Sequence, residues 1–321
     1  MPWTCLGIGL LGVMAAAHGQ LSPGLLTAIG GSRPAGAPSG PDSEQPGRQS
    51  NARAEQLLAE ARARLAAHRS ITAAIRQQVN LYRQQLVGSG TYLQAASETP
   101  RLRFELTLRV DDQVASFQQV CDGQYLWIRR QTQLHGPPDL GRVDLARVLS
   151  AVEAPDGAPP AGGAGAVGGM PPALGWGGLP QLLEALDRAF EFATVSDGQL
   201  RGRGVHALRG QWTAEHLARW LPDQKARIEE GKPALLDKLP PALPDHVVVL
   251  LGRDDLFPYR IEYRRTAGEA GETDQILVAI DLYDVRFDQP LDERLFEFEP
   301  GPMPWTDETD RYLREHMGPE R

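Results

Sequence analysis

Arg101-Leu102-Arg103-Phe104-Glu105-Leu106-Thr107-Leu108-Arg109-Val110 alternates a charged or polar residue with an apolar one, without a break. Successive side chains of an extended strand point to opposite faces. The segment therefore reads as a strand with Leu102, Phe104, Leu106, Leu108 and Val110 on a greasy face and Arg101, Arg103, Glu105, Thr107 and Arg109 on a wet one. Asp111-Asp112 turns the chain and residues 114–121 return. Asp122-Gly123 is then a strong hairpin signal ahead of Tyr125, Leu126, Trp127 and Ile128.

Working outward from this meander, residues 52–67 are good helix formers, with Leu57, Leu58, Ala61 and Leu65 on one face and arginines on the others. From Ile71 onward the pattern becomes extended. Beyond the meander, 179–192 predicts an apolar-faced helix and 205–212 a strand. A further helix over 213–221 has Thr213 as its N-cap and His216 where a capping box usually has Glu. Proline-punctuated helical pieces follow over 222–244. Three strands, over 246–251, 258–265 and 275–287, close the pattern, with Phe296 and Phe298 expected to end the sheet. A long antiparallel meander with a few amphipathic helices predicts the α+β class.

The glycines and prolines, 34 and 26 in 321 residues, cluster in two stretches. Residues 20–51 hold too few large apolar side chains to offset the entropy of ordering and read as a linker. Residues 154–178 read as a flexible loop or lid insertion. They are not a phosphate cradle, which needs a preceding strand, a following helix and usually a Lys. At the N-terminus, 6–17 is an apolar run of signal-peptide length followed by Ala17-His18-Gly19. Export with cleavage near Gly19 is expected, with 1–19 as the signal peptide. That run is too short to cross a bilayer. A periplasmic protein with transient membrane contact at most is the expected outcome. The net charge of −8 is spread along the chain without a basic stripe, which argues against nucleic acid and against adsorption to anionic lipid.

Little in the sequence points to catalysis. Cys121 is alone in the mature chain, so no intramolecular disulfide and no cysteine-based zinc site is expected. There is no His-Glu-x-x-His, no Gly-x-Ser-x-Gly and no EF-hand spacing. His206, His216 and His246 fall on different elements and read as surface or structural residues. Asp111-Asp112 and Asp254-Asp255 read as turn chemistry, and Arg201-Gly202-Arg203-Gly204 as a solvated hairpin region. The expectation is a protein that is not an enzyme and uses neither cofactor nor metal.

Several local segments together resemble the outer-membrane lipoprotein carrier family. The stretch from Ser70-Ile71 to Gly88-Ser89-Gly90-Thr91-Tyr92-Leu93 is similar to that family's opening strand pair with a glycine-containing turn. Pro100-Arg101-Leu102-Arg103-Phe104 resembles its next strand, and Val120-Cys121-Asp122-Gly123-Gln124-Tyr125-Leu126-Trp127 its Asp-Gly hairpin and Leu-Trp pair. Leu256-Phe257-Pro258-Tyr259-Arg260-Ile261-Glu262-Tyr263 and Leu282-Tyr283-Asp284-Val285-Arg286-Phe287, leading to Phe296-Glu297-Phe298, resemble its closing strands.

The resemblance implies an incomplete β-barrel over 52–300, a strongly curved antiparallel sheet covered by helices on its concave side, with 213–244 as a lid-like insertion. It also implies an apolar cavity for acyl lipid or lipoprotein in a monomeric carrier. The cavity candidates are Leu102, Phe104, Leu106, Leu108, Tyr125, Trp127, Trp212 and Tyr263, all of which could equally be plain core. Where the family has an Arg before the proline that opens the third strand, this chain has Thr99. The alternative is a sensor or interaction module of the cell envelope. In that reading the glycine-rich loop and the acidic tail over 301–321, with Asp307, Glu308, Asp310 and Glu315, contact a protein partner.

Overall fold

A computed structural model describes residues 44–81, 84–97, 99, 101–110, 113–131, 137–153, 176–266 and 274–317. The expected signal peptide, most of the linker, Asp111-Asp112 and most of the glycine-rich loop lie outside these residues.

The strands are β1 (Ser70–Leu81), β2 (Gln84–Ala95), β3 (Arg101–Val110), β4 (Gln113–Cys121), β5 (Tyr125–Gln131), β6 (Asp139–Asp144), β7 (Phe190–Leu200), β8 (Arg203–Trp212), β9 (His246–Gly252), β10 (Pro258–Arg265), β11 (Gln275–Phe287) and β12 (Thr306–Asp307). They form one open, curved 12-stranded sheet in the order β12-β6-β5-β4-β3-β2-β1-β11-β10-β9-β8-β7. Every pairing is antiparallel except β12 on β6. Two meanders, β1 to β6 and β7 to β11, are thus joined side by side through β1 and β11. The helices are α1 (Glu44–Ala67), α2 (Leu145–Glu153), α3 (Gly178–Ala189), α4 (Ala214–Trp220), α5 (Lys225–Glu229) and α6 (Thr309–Met317). The fold is α+β, as the alternation predicts.

Because directly paired residues share a face, the registers sort the sheet into two sides. One side carries Ile75, Val79, Tyr92, Leu102, Leu106, Leu126, Val143, Val247, Val249, Leu208 and Phe190. These join a single buried core with Ala54, Leu58, Ala61 and Leu65 of α1 and Leu179, Leu182, Leu183 and Leu186 of α3. The spacing of the α1 residues, at i, i+4, i+7 and i+11, is one stripe of a helix. Polar ties set the helices against one another and against the sheet: Arg62 of α1 pairs with Asp187 of α3 at 3.0 Å, and Arg64 donates to the Asp254 carbonyl at 2.8 Å.

Several sequence expectations hold in detail. Asp122 Oδ1 accepts from the Gln124 and Tyr125 N–H groups at 2.8 and 2.7 Å, and Gly123 takes φ 95°, so the Asp-Gly hairpin is real. Thr213 caps α4, its hydroxyl accepting from the His216 N–H while His216 Nδ1 lies 2.8 Å from the same oxygen. Arg201 and Gly202 both have positive φ, as the tight turn between β7 and β8 requires. Asp255 Oδ1 accepts from the Phe257 N–H in the turn between β9 and β10.

Other expectations are corrected. The helix expected over 179–192 ends at Ala189. Phe190-Glu191-Phe192 opens β7, where Phe190 stacks on the cross-strand Trp212 at 4.2 Å, because aromatics with an alternating neighbour favour a strand. Gly88 and Gly90 lie inside β2, not in a turn. A Cβ at Gly90 would sit 1.8 Å from the Glu105 carbonyl oxygen, so glycine there lets β3 approach closely. α1 starts at Glu44, ahead of the expected 52, since a proline in the first turn of a helix is tolerated. Phe296 and Phe298 are not strand residues. Phe296 ends a 3-10 turn over Glu293–Phe296, and Phe298 lies beyond it.

In the acidic tail, Asp307, Glu308 and Asp310 have basic partners within the chain. Glu308 pairs with Arg130, whose Nη1 and Nη2 donate to its two oxygens at 3.0 and 2.9 Å, Asp310 pairs with Arg147, and Asp307 lies 4.0 Å from Arg142. The short strand β12 and α6 follow from that docking.

Candidate functional site

The β-strand registers divide the eight candidate residues between the two sides of the sheet. Leu102, Phe104, Leu106 and Leu108 on β3 stand opposite Gln94, Tyr92, Gly90 and Gly88 on β2, and opposite Cys121, Gln119, Phe117 and Ala115 on β4. Following the pairs Val79 to Val278 to Tyr263 to Val247 to Gly210 brings Tyr263, and with it Trp212 two residues beyond Gly210, onto this same helix-bearing side. Six of the candidates therefore share one apolar face, Tyr263 and Trp212 on the β7 to β11 wing and the β3 residues on the other. Leu102, Leu106, Leu108, Trp212 and Tyr263 are buried and Phe104 is partly buried against them.

Tyr125 and Trp127 lie on the reverse side. Trp127 pairs with Val120, which pairs with Arg103 of the wet face of β3. There the Arg142 guanidinium sits 4.4 Å from the Tyr125 ring and 3.9 Å from the Trp305 ring, and Trp127 stacks on Phe298 at 5.3 Å. Aromatic faces attract a guanidinium through the ring quadrupole. Arg142, Phe298 and Trp305 were not anticipated. An exposed tryptophan in an acidic tail, Trp305 in Pro304-Trp305, was the available signal. This cluster ties the C-terminal segment to the back of β5 and β6.

On the apolar side, polar groups are few. Tyr92 Oη donates to Gln94 Oε1 and accepts from the Leu179 N–H at 3.0 Å, so it holds the first turn of α3 against β2. Gly178 has φ 64°, and a Cβ there would lie 2.5 Å from Tyr92 Oη. Burial pushes the Tyr92 phenol well above its usual range. Tyr312 of α6 is buried too, its phenol raised by burial and held by the Trp176 backbone N–H. Cys121 is fully buried, which pushes its thiol up to about 11 and makes it a packing residue, not a nucleophile. Gln119, 4% exposed, differs from these: its Oε1 has no hydrogen-bond partner.

His206, His216 and His246 do not come together. His206 pairs with Asp197 at 2.7 Å, His216 serves the α4 cap, and buried His246 lies between Asp245 and Asp274 on the reverse side. Among the described residues no group of three or more His, Cys, Asp or Glu is placed to hold a metal ion, and no helix is long and apolar enough to cross a membrane.

The sequence matches no protein-family model and no curated protein. Among the solved structures to which the chain is similar are three of low identity. LprF from Mycobacterium bovis has 10% identity over 76% of this chain and 96% of that one, with a TM-score of 0.34. The lipoprotein LppX of Mycobacterium tuberculosis has 13% identity over 74% and 98%, with a TM-score of 0.33. MucB, in the MucA/MucB complex of Pseudomonas aeruginosa, has 11% identity over 78% and 61%, with a TM-score of 0.34.

Proposed function

We propose that this chain is an exported carrier that shelters acyl lipid between the apolar face of its curved sheet and the helices laid against it. The observation that supports this reading is the continuity of that face, which runs across both meanders and includes Leu102, Phe104, Leu106, Leu108, Trp212 and Tyr263. Water excludes an acyl chain at about 0.8 kcal/mol per CH₂, so a chain of ordinary length costs on the order of 10 kcal/mol unless a host takes it up.

An apolar cover can be exchanged for an acyl chain at little net cost, because both present the same kind of surface to the wall. Its polar ties are few and specific, chiefly Tyr92 to Leu179 and Arg64 to the Asp254 carbonyl. They would keep α1 and α3 in register while apolar contacts beside them open. Thr99, where that family has an arginine, counts against lipoprotein shuttling and leaves lipid binding open. Export through the N-terminal apolar run belongs to the same reading.

The experiment is a titration of delipidated protein with a fluorescent fatty acid, combined with mass spectrometry of lipid extracted from protein purified out of an envelope fraction. Saturable binding at one site, displaced by unlabelled fatty acid, is expected. Absence of both saturable binding and extractable lipid would end the proposal.

A further inference from the structure

Gln119 stands on β4 within the apolar face, opposite Phe104 on β3 and Ile128 on β5. Its neighbour in sequence, Gln118, shows how a glutamine in this sheet is ordinarily satisfied. Gln118 points to the reverse side and donates to Glu105 Oε1 at 2.8 Å. On the apolar side, Gln94 accepts from Tyr92. Gln119 Oε1 has no such donor, and it is the one unpartnered buried side-chain oxygen on this face among the described residues. The other buried side-chain atoms without a hydrogen bond are nitrogens: Arg142 Nε and His246 Nε2 on the reverse side, His216 Nε2 on α4 and Arg311 Nη2 on α6, of which His246 and Arg311 face the carboxylates of Asp274 and Glu308.

A buried acceptor without a donor is disfavoured, and a leucine at this position would pack between Phe104 and Ile128 without that cost. The acceptor makes physical sense if a bound molecule brings the donor. Its surroundings also say which kind. On the adjacent strand β5, two residues beyond Ile128 and on the same face, Arg130 pairs with Phe117 across the ladder, and its guanidinium is committed to Glu308 and Asp139. Arg130 therefore offers no free positive charge to an ionised head group. A neutral donor is the matching chemistry.

Resting on the acyl-carrier reading, we propose that Gln119 is the polar anchor of the site and selects acyl chains that carry a neutral hydrogen-bond donor, a hydroxyl or an amide N–H, over plain hydrocarbon chains. A hydroxyl on the ligand donates to Oε1 and restores the bond the wall lacks, whereas an unsubstituted chain leaves that oxygen dry and unpaired.

The test uses the full-length protein, delipidated, and three uncharged probes: methyl stearate, methyl 3-hydroxystearate and methyl 12-hydroxystearate, each displacing a bound fluorescent fatty acid. At least one hydroxy ester is expected to bind about tenfold tighter than methyl stearate, and Gln119→Leu is expected to bring the ratio to within about twofold. Equal affinity of all three esters for the wild-type protein overturns the role of Gln119 and leaves lipid carriage standing. So does a preference that survives Gln119→Leu. Binding of none of them, with the fluorescent fatty acid also unbound, removes lipid carriage itself. Should the variant fail to fold, the wild-type ratio still decides.

Discussion

The two sides of the sheet are written in the same strands, one residue out of step, and they are put to opposite uses. On the helix-bearing side of β3, Leu106 and Leu108 are 2% exposed and join the common core. On the reverse side Arg103 and Glu105 pair with each other at 2.7 Å in partial contact with water. Part of the reverse side is buried by groups brought to it, as at Trp127 beneath Phe298 and Trp305. Alternation therefore tells which residues share a side, and long-range docking decides what each side is for. The sharpest way to break this contrast is to substitute neighbours. Leu106→Ala should lose about 4 kcal/mol of stability in urea unfolding, from lost transfer free energy and the cavity left behind. Thr107→Ala should stay within about 0.5 kcal/mol. Similar losses at both positions would mean that the two sides are not energetically distinct.

The same contrast explains what was legible in the sequence. The strict alternation over 101–110, the stripe of Leu58, Ala61 and Leu65, and Asp122-Gly123 are local patterns with local causes, and each element formed as expected. The assignment of Tyr125 and Trp127 to a common site with Leu102 and Trp212 needed the register of β4 against β5, which only the paired structure supplies. The register turns on parity: Leu126 faces the core and Trp127 faces away. β7 was hidden because Phe190 continues the apolar rhythm of α3 before Phe192 reveals an alternation. Gln119 was invisible for a different reason. Gln118-Gln119 in a strand reads as wet until the neighbours of Gln119 across the sheet prove to be Phe104 and Ile128.

The docked tail offers the second way to test the contrast. Glu308 is 5% exposed at its side chain and receives both Nη groups of Arg130. Its replacement by alanine leaves a buried guanidinium with only the exposed Asp139, so a loss of about 3 kcal/mol is expected. Faster trypsin cleavage within 309–317 should accompany it. Unchanged stability and cleavage would show that the tail is not held by this pair. Trp305→Ala removes one aromatic face from Arg142 and an edge contact with Trp127, at about 1 kcal/mol because the site is partly wet. A larger loss, approaching that of Leu106→Ala, would make the reverse-side cluster a second core.

Cys121 gives the smallest effect and tests burial of the apolar side directly. Its thiol, pushed up to about 11 by burial, stays protonated in the folded protein where an unfolded cysteine ionises above about pH 9. The unfolded chain thus binds fewer protons over this interval, and stability must fall as pH rises. The contribution is complete below about pH 9 and is lost between about pH 9 and 11. Between pH 9 and 10 the loss should be about 1 kcal/mol greater for the wild-type protein than for Cys121→Ala. Tyr92, Tyr263 and Tyr312 are raised in the same direction, but they are present in both proteins and cancel in the difference. The constant cost of the alanine cavity cancels as well, because only the change with pH is compared. Parallel pH profiles for the two proteins, or rapid labelling of the native thiol by a disulfide reagent at pH 8, would show that water reaches the face on which the proposed lipid site depends.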